Sequence, residues 1–365
     1  MPKKTRSMVL EDVRRLSFQE FDVPEIGEED GLLKVELCGV CGSDVGIYTG
    51  KATRILPYLP LIMGHEILGR IEAMGPTACR RHGVKVGDRV VVEFAFGCGH
   101  CAACLNGRYV FCEKSGRYGT YVSCKTPPHL WGAYGEYLYL PPRAMIHKIR
   151  EDVPAEAAVL ICAVMGNAVR WLRQVGGVSI GQTVVIEGPG QQGLAGVIVA
   201  RECGAARIIV TGTGADERRF EMARLLGADH CVDVLKEDPV EKVREITEGR
   251  MADLVMDVTG RPQGALTAVD LLKKGGTVVL PGLYGTATQV PLLLDRVVLN
   301  EIRLQGVYSH DLNAVGPAIA IVESGRYPLE KLVTHRFALQ DAEKALRTAA
   351  GEIPGEHPIK VVLVP

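Results

Sequence analysis

The sequence has 365 residues, 42 Lys+Arg against 43 Asp+Glu for a formal charge of -1, and 47% hydrophobic residues. Single cores stop growing at about 250 residues, so this length predicts two compact units. The balanced charge argues against nucleic acid as a partner, and the apolar content excludes global disorder.

The opening Met-Pro-Lys-Lys-Thr-Arg is followed by no apolar segment, so neither a secretory leader nor a spanning helix is expected there. Residues 153–169 are apolar but interrupted by Glu156 and Asn167, short of the roughly 20 clean residues a membrane span needs. A cytoplasmic protein without a membrane partner is expected. Eleven cysteines, an odd number without a leader, point to thiols and metal ligands in place of a disulfide scaffold.

From about residue 9 to 142 the chain reads as short apolar runs cut by turns, for instance residues 32–37 and 88–92, which predicts a β-rich unit. Within it, Cys98-x2-Cys101-x2-Cys104-x7-Cys112 sets four thiolates where one loop wraps a tetrahedral ion. A closed structural zinc site is the leading expectation; a four-cysteine iron–sulfur site uses related spacings. No basic side chain neighbours these cysteines at Gly97, Gly99, Ala102 or Ala103, so a nucleic-acid finger is not expected. A second, sparser set consists of Cys41 in Cys38-Gly-Val-Cys41-Gly-Ser43-Asp44, His65 in Gly64-His65-Glu66, and Cys162. Two thiolates and an imidazole leave one zinc position open, as catalysis requires.

After residue 182 the rhythm changes. Continuously apolar runs at 183–186, 207–210, 254–258 and 277–280 alternate with amphipathic helix-length segments, which predicts a parallel sheet covered on both faces. The first run leads into Gly188-Pro-Gly190-Gln-Gln-Gly193, the glycine turn that receives a dinucleotide pyrophosphate at a helix N-terminus. No carboxylate ends the next strand at Gly212-Thr213, so a ribose 2′-phosphate held by Arg218 or Arg219 and a ribose hydroxyl held by Asp216 or Glu217 stay equally open. Residues 297–299 with 302–304 suggest an edge strand suited to pairing with a second chain. The final apolar run, 359–364, has no place in the parallel sheet and is assigned back to the first unit.

Taken in order, Cys41-Gly-Ser-Asp, Gly64-His65-Glu66-x2-Gly69-x5-Gly75, the four-cysteine lobe and the glycine turn resemble the zinc-containing medium-chain alcohol dehydrogenase family along nearly the whole chain. The resemblance implies an α/β protein. A GroES-like β-rich catalytic domain (1–157 and 307–365) carries the structural zinc lobe, and a Rossmann doubly wound parallel-sheet domain (158–306) binds the dinucleotide. It implies two zinc ions per chain and NAD or NADP, and a homodimer or homotetramer.

Cys41, His65 and Cys162 are then the catalytic zinc ligands, with Glu66 beside the ion and Asp44 orienting His65. Ser43 passes the proton of the alcohol towards the cofactor ribose and solvent; many relatives place a histidine three residues later, where this chain has Gly46. Gly42 stands where some relatives carry a phosphate-binding arginine. Gly282 and Leu283 match a backbone contact with the nicotinamide. Phe94, Trp131 and Tyr134 are expected to line an apolar substrate pocket. The implied function is reversible hydride transfer between a hydrophobic, secondary or cyclic, alcohol and NAD(P). The alternatives are a polyol or sugar dehydrogenase, which Cys41-Gly-Ser-Asp-Val45 also resembles, and a non-catalytic nucleotide-binding redox sensor.

Overall fold

The computed structural model describes residues 3–285 and 288–365. The chain divides into two compact units, Met1–Ala163 with Ile319–Pro365, and Val164–Ala318.

The first unit is built on strand Gly31–Val40, whose residues are buried at almost every position. It pairs antiparallel with Glu66–Met74 on one side and with the C-terminal strand Lys360–Val364 on the other. The C-terminal strand pairs in turn, in parallel, with Val333–Ala338. A hairpin of Lys4–Asp12 and Arg15–Asp22 packs its apolar face on the same core, where Leu10, Leu32, Leu33, Leu61 and Ile62 are wholly buried. Valine and isoleucine suit such pleated, doubly covered positions.

The second unit is a six-stranded, all-parallel sheet. Its strands lie in the order His230–Asp233, Arg207–Gly212, Thr183–Glu187, Ala252–Asp257, Leu272–Leu280, Arg303–Gly306. The order reverses between Thr183–Glu187 and Ala252–Asp257, the place where open parallel sheets bind ligands. Helix Gln191–Glu202 packs on the sheet through Gly196, where an added Cβ would lie 2.5 Å from the Met256 side chain of strand Ala252–Asp257 and 3.3 Å from Ile186 of strand Thr183–Glu187.

Two expectations need revision. Val297, Val298 and Leu299 belong to the helix Leu294–Leu299, and the edge strand begins only at Arg303. The apolar stretch around Cys162 extends into one long helix, Ala155–Val175, long and apolar enough to cross a membrane; 83% of its most apolar window is buried inside the protein. Burial supplies the apolar surroundings that a bilayer would otherwise provide, so its composition is that of a core helix.

Candidate active site

Strand Gly31–Val40 delivers the chain to Cys41, which caps the short helix Gly42–Tyr48. In the first turn Asp44 reaches back, its Oδ2 accepting the Cys41 backbone N–H at 2.9 Å. The other oxygen, Oδ1, lies 3.3 Å from His65 Nδ1. His65 leads into strand Glu66–Met74, and Gly39 and Glu66 are cross-strand partners, so the two halves of the site are joined by the sheet ladder. The donor atoms of Cys41, His65 and Glu66 lie within 4.8 Å of one another. Burial opposes charging of His65, but Asp44 and the Cys41 sulfur outweigh it and hold the imidazole well above its ordinary range.

Ser43 is exposed, and its Oγ sits 3.3 Å from His65 Nε2. Cys162 is buried, and burial, followed by the charges of Glu93 and Glu66, pushes its thiol well up. It is outside the set of donors that meet within 4.8 Å. Glu66 is wholly buried and ion-paired with Lys360, whose Nζ also donates to Val40 O at 3.0 Å. This lysine, in an otherwise apolar strand, is a site-supporting residue that the sequence pattern did not reveal; its only signal was the charge itself at the head of residues 359–364.

Do these residues suit zinc? Glu66 Oε1 is buried without a hydrogen-bond partner among the described residues, Asp44 holds the imidazole from its Nδ1 side, and sulfur, imidazole and carboxylate make a donor set typical of that ion. They do. The four-cysteine lobe also fits: Cys98, Cys101, Cys104 and Cys112 place their sulfurs within 4.8 Å of one another. The amides of His100 and Cys101 help hold Cys98 down at about 6, whereas burial pushes Cys104 up to about 12. Gly97 admits this closure, since a Cβ there would collide with the Cys104 sulfur.

Beside these candidate ligands, Phe94 presents its ring edge-on to His65 with centroids 6.2 Å apart. Trp131 and Tyr134 are members of the hydrophobic core. The Trp131 indole stacks on Phe96, meets Tyr139 edge-on, and donates through Nε1 to Thr126 O at 2.8 Å. Tyr134 is fully buried against the backbone at Gly64.

In the second unit, Gly188 has φ 101°, a conformation that favours glycine, and Gly190 caps helix Gln191–Glu202. A Cβ on Gly193 would collide with Gly188 O, so the turn closes only with glycine there. These features fit the pyrophosphate of a dinucleotide. At the adenosine end, a Cβ on Gly212 would meet Pro189 Cδ at 2.8 Å, which leaves no room for a carboxylate. Asp216 is engaged, its Oδ2 accepting Thr213 N–H and Oγ1–H at 2.9 Å each and its Oδ1 pairing with Arg219 at 2.9 Å; Arg218 is exposed. Gly282 lies against Gly260, and Leu283 is exposed.

Comparison with known proteins bears on the same residues. Residues 27–151 match the family "Alcohol dehydrogenase GroES-like domain" and residues 193–324 match "Zinc-binding dehydrogenase". The chain is 39% identical to a probable alcohol dehydrogenase of Mycobacterium tuberculosis, over 99% of this chain and 98% of that one. It is 30% identical to the sorbitol dehydrogenase of Bacillus subtilis, over 96% and 94%. Its fold is similar to that of an alcohol dehydrogenase from Thermotoga maritima, with a TM-score of 0.90, 29% identity and 99% of both chains covered. With two matched domains that together cover most of the chain, and a relative 39% identical over nearly its whole length, the chain belongs to the zinc-containing medium-chain alcohol dehydrogenase family, oxidoreductases that use zinc and NAD(P).

Proposed function

We propose that the substrate is a hydrophobic alcohol, secondary or cyclic, oxidised reversibly to its carbonyl compound. The observation that carries this reading is the Phe94 ring set against His65. An apolar wall gains about 0.8 kcal/mol for each CH₂ of substrate it covers, while each unpaired hydroxyl of a polyol costs about 1–3 kcal/mol. The similarity to sorbitol dehydrogenase favours a polyol as the second reading. Assays of kcat/KM for cyclohexanol and benzyl alcohol against sorbitol, threonine and glycerol, each with NAD and NADP, separate the two. The first reading requires the apolar alcohols to lead and Phe94→Ala to narrow their advantage; a clear preference for sorbitol overturns it.

In this reading Cys41, His65 and Cys162 would hold the catalytic zinc, which when bound would supply Lewis-acid polarisation of the substrate oxygen, with NAD(P) as the hydride acceptor. Glu66 stays with Lys360, and Asp44 fixes the imidazole ring. Ser43 Oγ takes up the alcohol proton as its own hydroxyl proton passes to a solvent water, so the hydroxyl is regenerated. Its exposure supports that route, and Gly46 then needs no imidazole in its place.

The exposed Leu293, Leu294, Val298 and Leu299 immediately precede the edge strand Arg303–Gly306 in the chain, which supports a homodimer formed on that edge. Sedimentation of Leu299→Asp should then report monomer where the natural chain reports dimer or tetramer. A cytoplasmic location completes the proposal.

A further inference from the structure

Two buried carboxyl groups in the parallel-sheet unit have no part in the chemistry above. Glu187 ends strand Thr183–Glu187 and Asp257 ends strand Ala252–Asp257, and the register sets them side by side where the strand order reverses. Asp257, wholly buried, accepts three hydrogen bonds: Thr259 N–H at 2.8 Å and Thr259 Oγ1–H at 2.6 Å on Oδ1, and Tyr284 O–H at 2.7 Å on Oδ2. It is a well-satisfied carboxylate. Glu187 is 4% exposed, and its Oε2 has no hydrogen-bond partner among the described residues.

A second anion there would leave Oε2 with neither water nor a donor. Burial, and after it the charge of Asp257, push the Glu187 carboxyl well above its ordinary range. Among the described residues, the surrounding elements bring no compensating cation. Helix Gln191–Glu202 starts with Gln191 and Gln192, and its charged Arg201 and Glu202 stand at the far end. The adjacent strand pairs Thr211 with Glu187. Helix Pro262–Asp270 follows the exposed Arg261, with Asp270 at its far end. Tyr284 is raised by burial and by Asp257, so its phenol keeps its proton.

Glu187 also adjoins Gly188, the first glycine of the turn. A Cβ on Gly188 would lie 3.2 Å from Thr259 Cγ2, so the turn rests on the residue that satisfies Asp257. We propose that Glu187 is a positioning residue of the dinucleotide site, held as a neutral carboxylic acid so that the anionic cofactor meets one buried carboxylate at the strand ends and not two. The inference rests on the assignment of Gly188–Gly193 to the cofactor diphosphate.

Ionisation of Glu187 would set a negative charge under the turn and repel the diphosphate. Affinity is therefore full below the titration of Glu187 and is lost as pH rises through it, by about tenfold for each further pH unit. The test measures the Kd of NADH and of NADPH by fluorescence titration of the zinc-loaded enzyme between about pH 6 and about pH 10. The natural chain should lose affinity with rising pH, and E187Q should keep the neutral-pH affinity with a flat profile. Glu187→Thr, smaller and also neutral, should likewise be flat and serves if E187Q folds poorly. A parallel decline in natural chain and variants, a flat profile in the natural chain, or weak binding at neutral pH by a folded E187Q overturns the proposal. If the natural chain binds neither cofactor at any pH, the assignment of the turn fails first and the proposal with it.

Discussion

Asp44 Oδ1 and His65 Nδ1 lie 3.3 Å apart, and the same carboxylate grips the Cys41 backbone through Oδ2. One side chain thus ties together two candidate metal ligands from different elements. Replacing it by Asn keeps the shape but removes the charge that sets the imidazole. Asp44→Asn should weaken zinc at the Cys41–His65 site by about 10–100-fold, measured by chelator competition, with the four-cysteine zinc unaffected.

Ser43 touches the imidazole but offers no ligand that the metal needs. Ser43→Ala should reduce turnover by about 10²–10⁴-fold at unchanged zinc content when chemistry limits the rate, the usual scale for a lost proton-transfer group. Near-normal turnover would mean that water alone performs the transfer. Cys162→Ala, by contrast, should lose the catalytic zinc, whereas Glu66→Gln should retain it. The reverse pattern would make Glu66 the third ligand, as its distance from Cys41 and His65 allows.

The lobe is a separate structural device. Cys101→Ser removes one of four sulfurs that meet within 4.8 Å, and metal-binding free energy in such sites is folding free energy. Thermal unfolding should therefore fall and soluble assembly should decline, with one zinc fewer per chain by elemental analysis.

Lys360 and Glu66 form an ion pair with both side chains fully excluded from solvent. Lys360→Met leaves a buried carboxylate uncompensated and should cost about 3–5 kcal/mol in denaturant unfolding. Adding Glu66→Gln should restore much of that loss, because the double variant buries no lone charge.

The two pairings illustrate what a sequence shows and what it conceals. Strand Thr183–Glu187, its glycine turn and the helix after it were legible because apolar runs, glycine and helix-start signals act within a dozen residues. The four cysteines were legible for the same reason. Cys41 and His65 needed the family resemblance, since their meeting depends on strand register. The Lys360–Glu66 pair was not legible, because it arises from the C-terminal strand inserting beside Gly31–Val40. Nor could the pattern of aromatics show which rings meet: Phe94 meets His65 edge-on, while Trp131 and Tyr134 belong to the core of the first unit. The segment 297–299 has strand-like composition, yet its placement outside the sheet allows a helix.

Two zinc sites of unequal lability, with catalysis at Cys41–His65, are the central expectation for this enzyme. The most direct test follows zinc content, far-ultraviolet circular dichroism and alcohol-dependent reduction of NAD or NADP together during brief chelation. The account predicts two zinc ions at the start, loss of one in step with loss of all activity, and an unchanged dichroism spectrum. A single zinc, iron in its place, or activity that survives removal of the labile ion would contradict it.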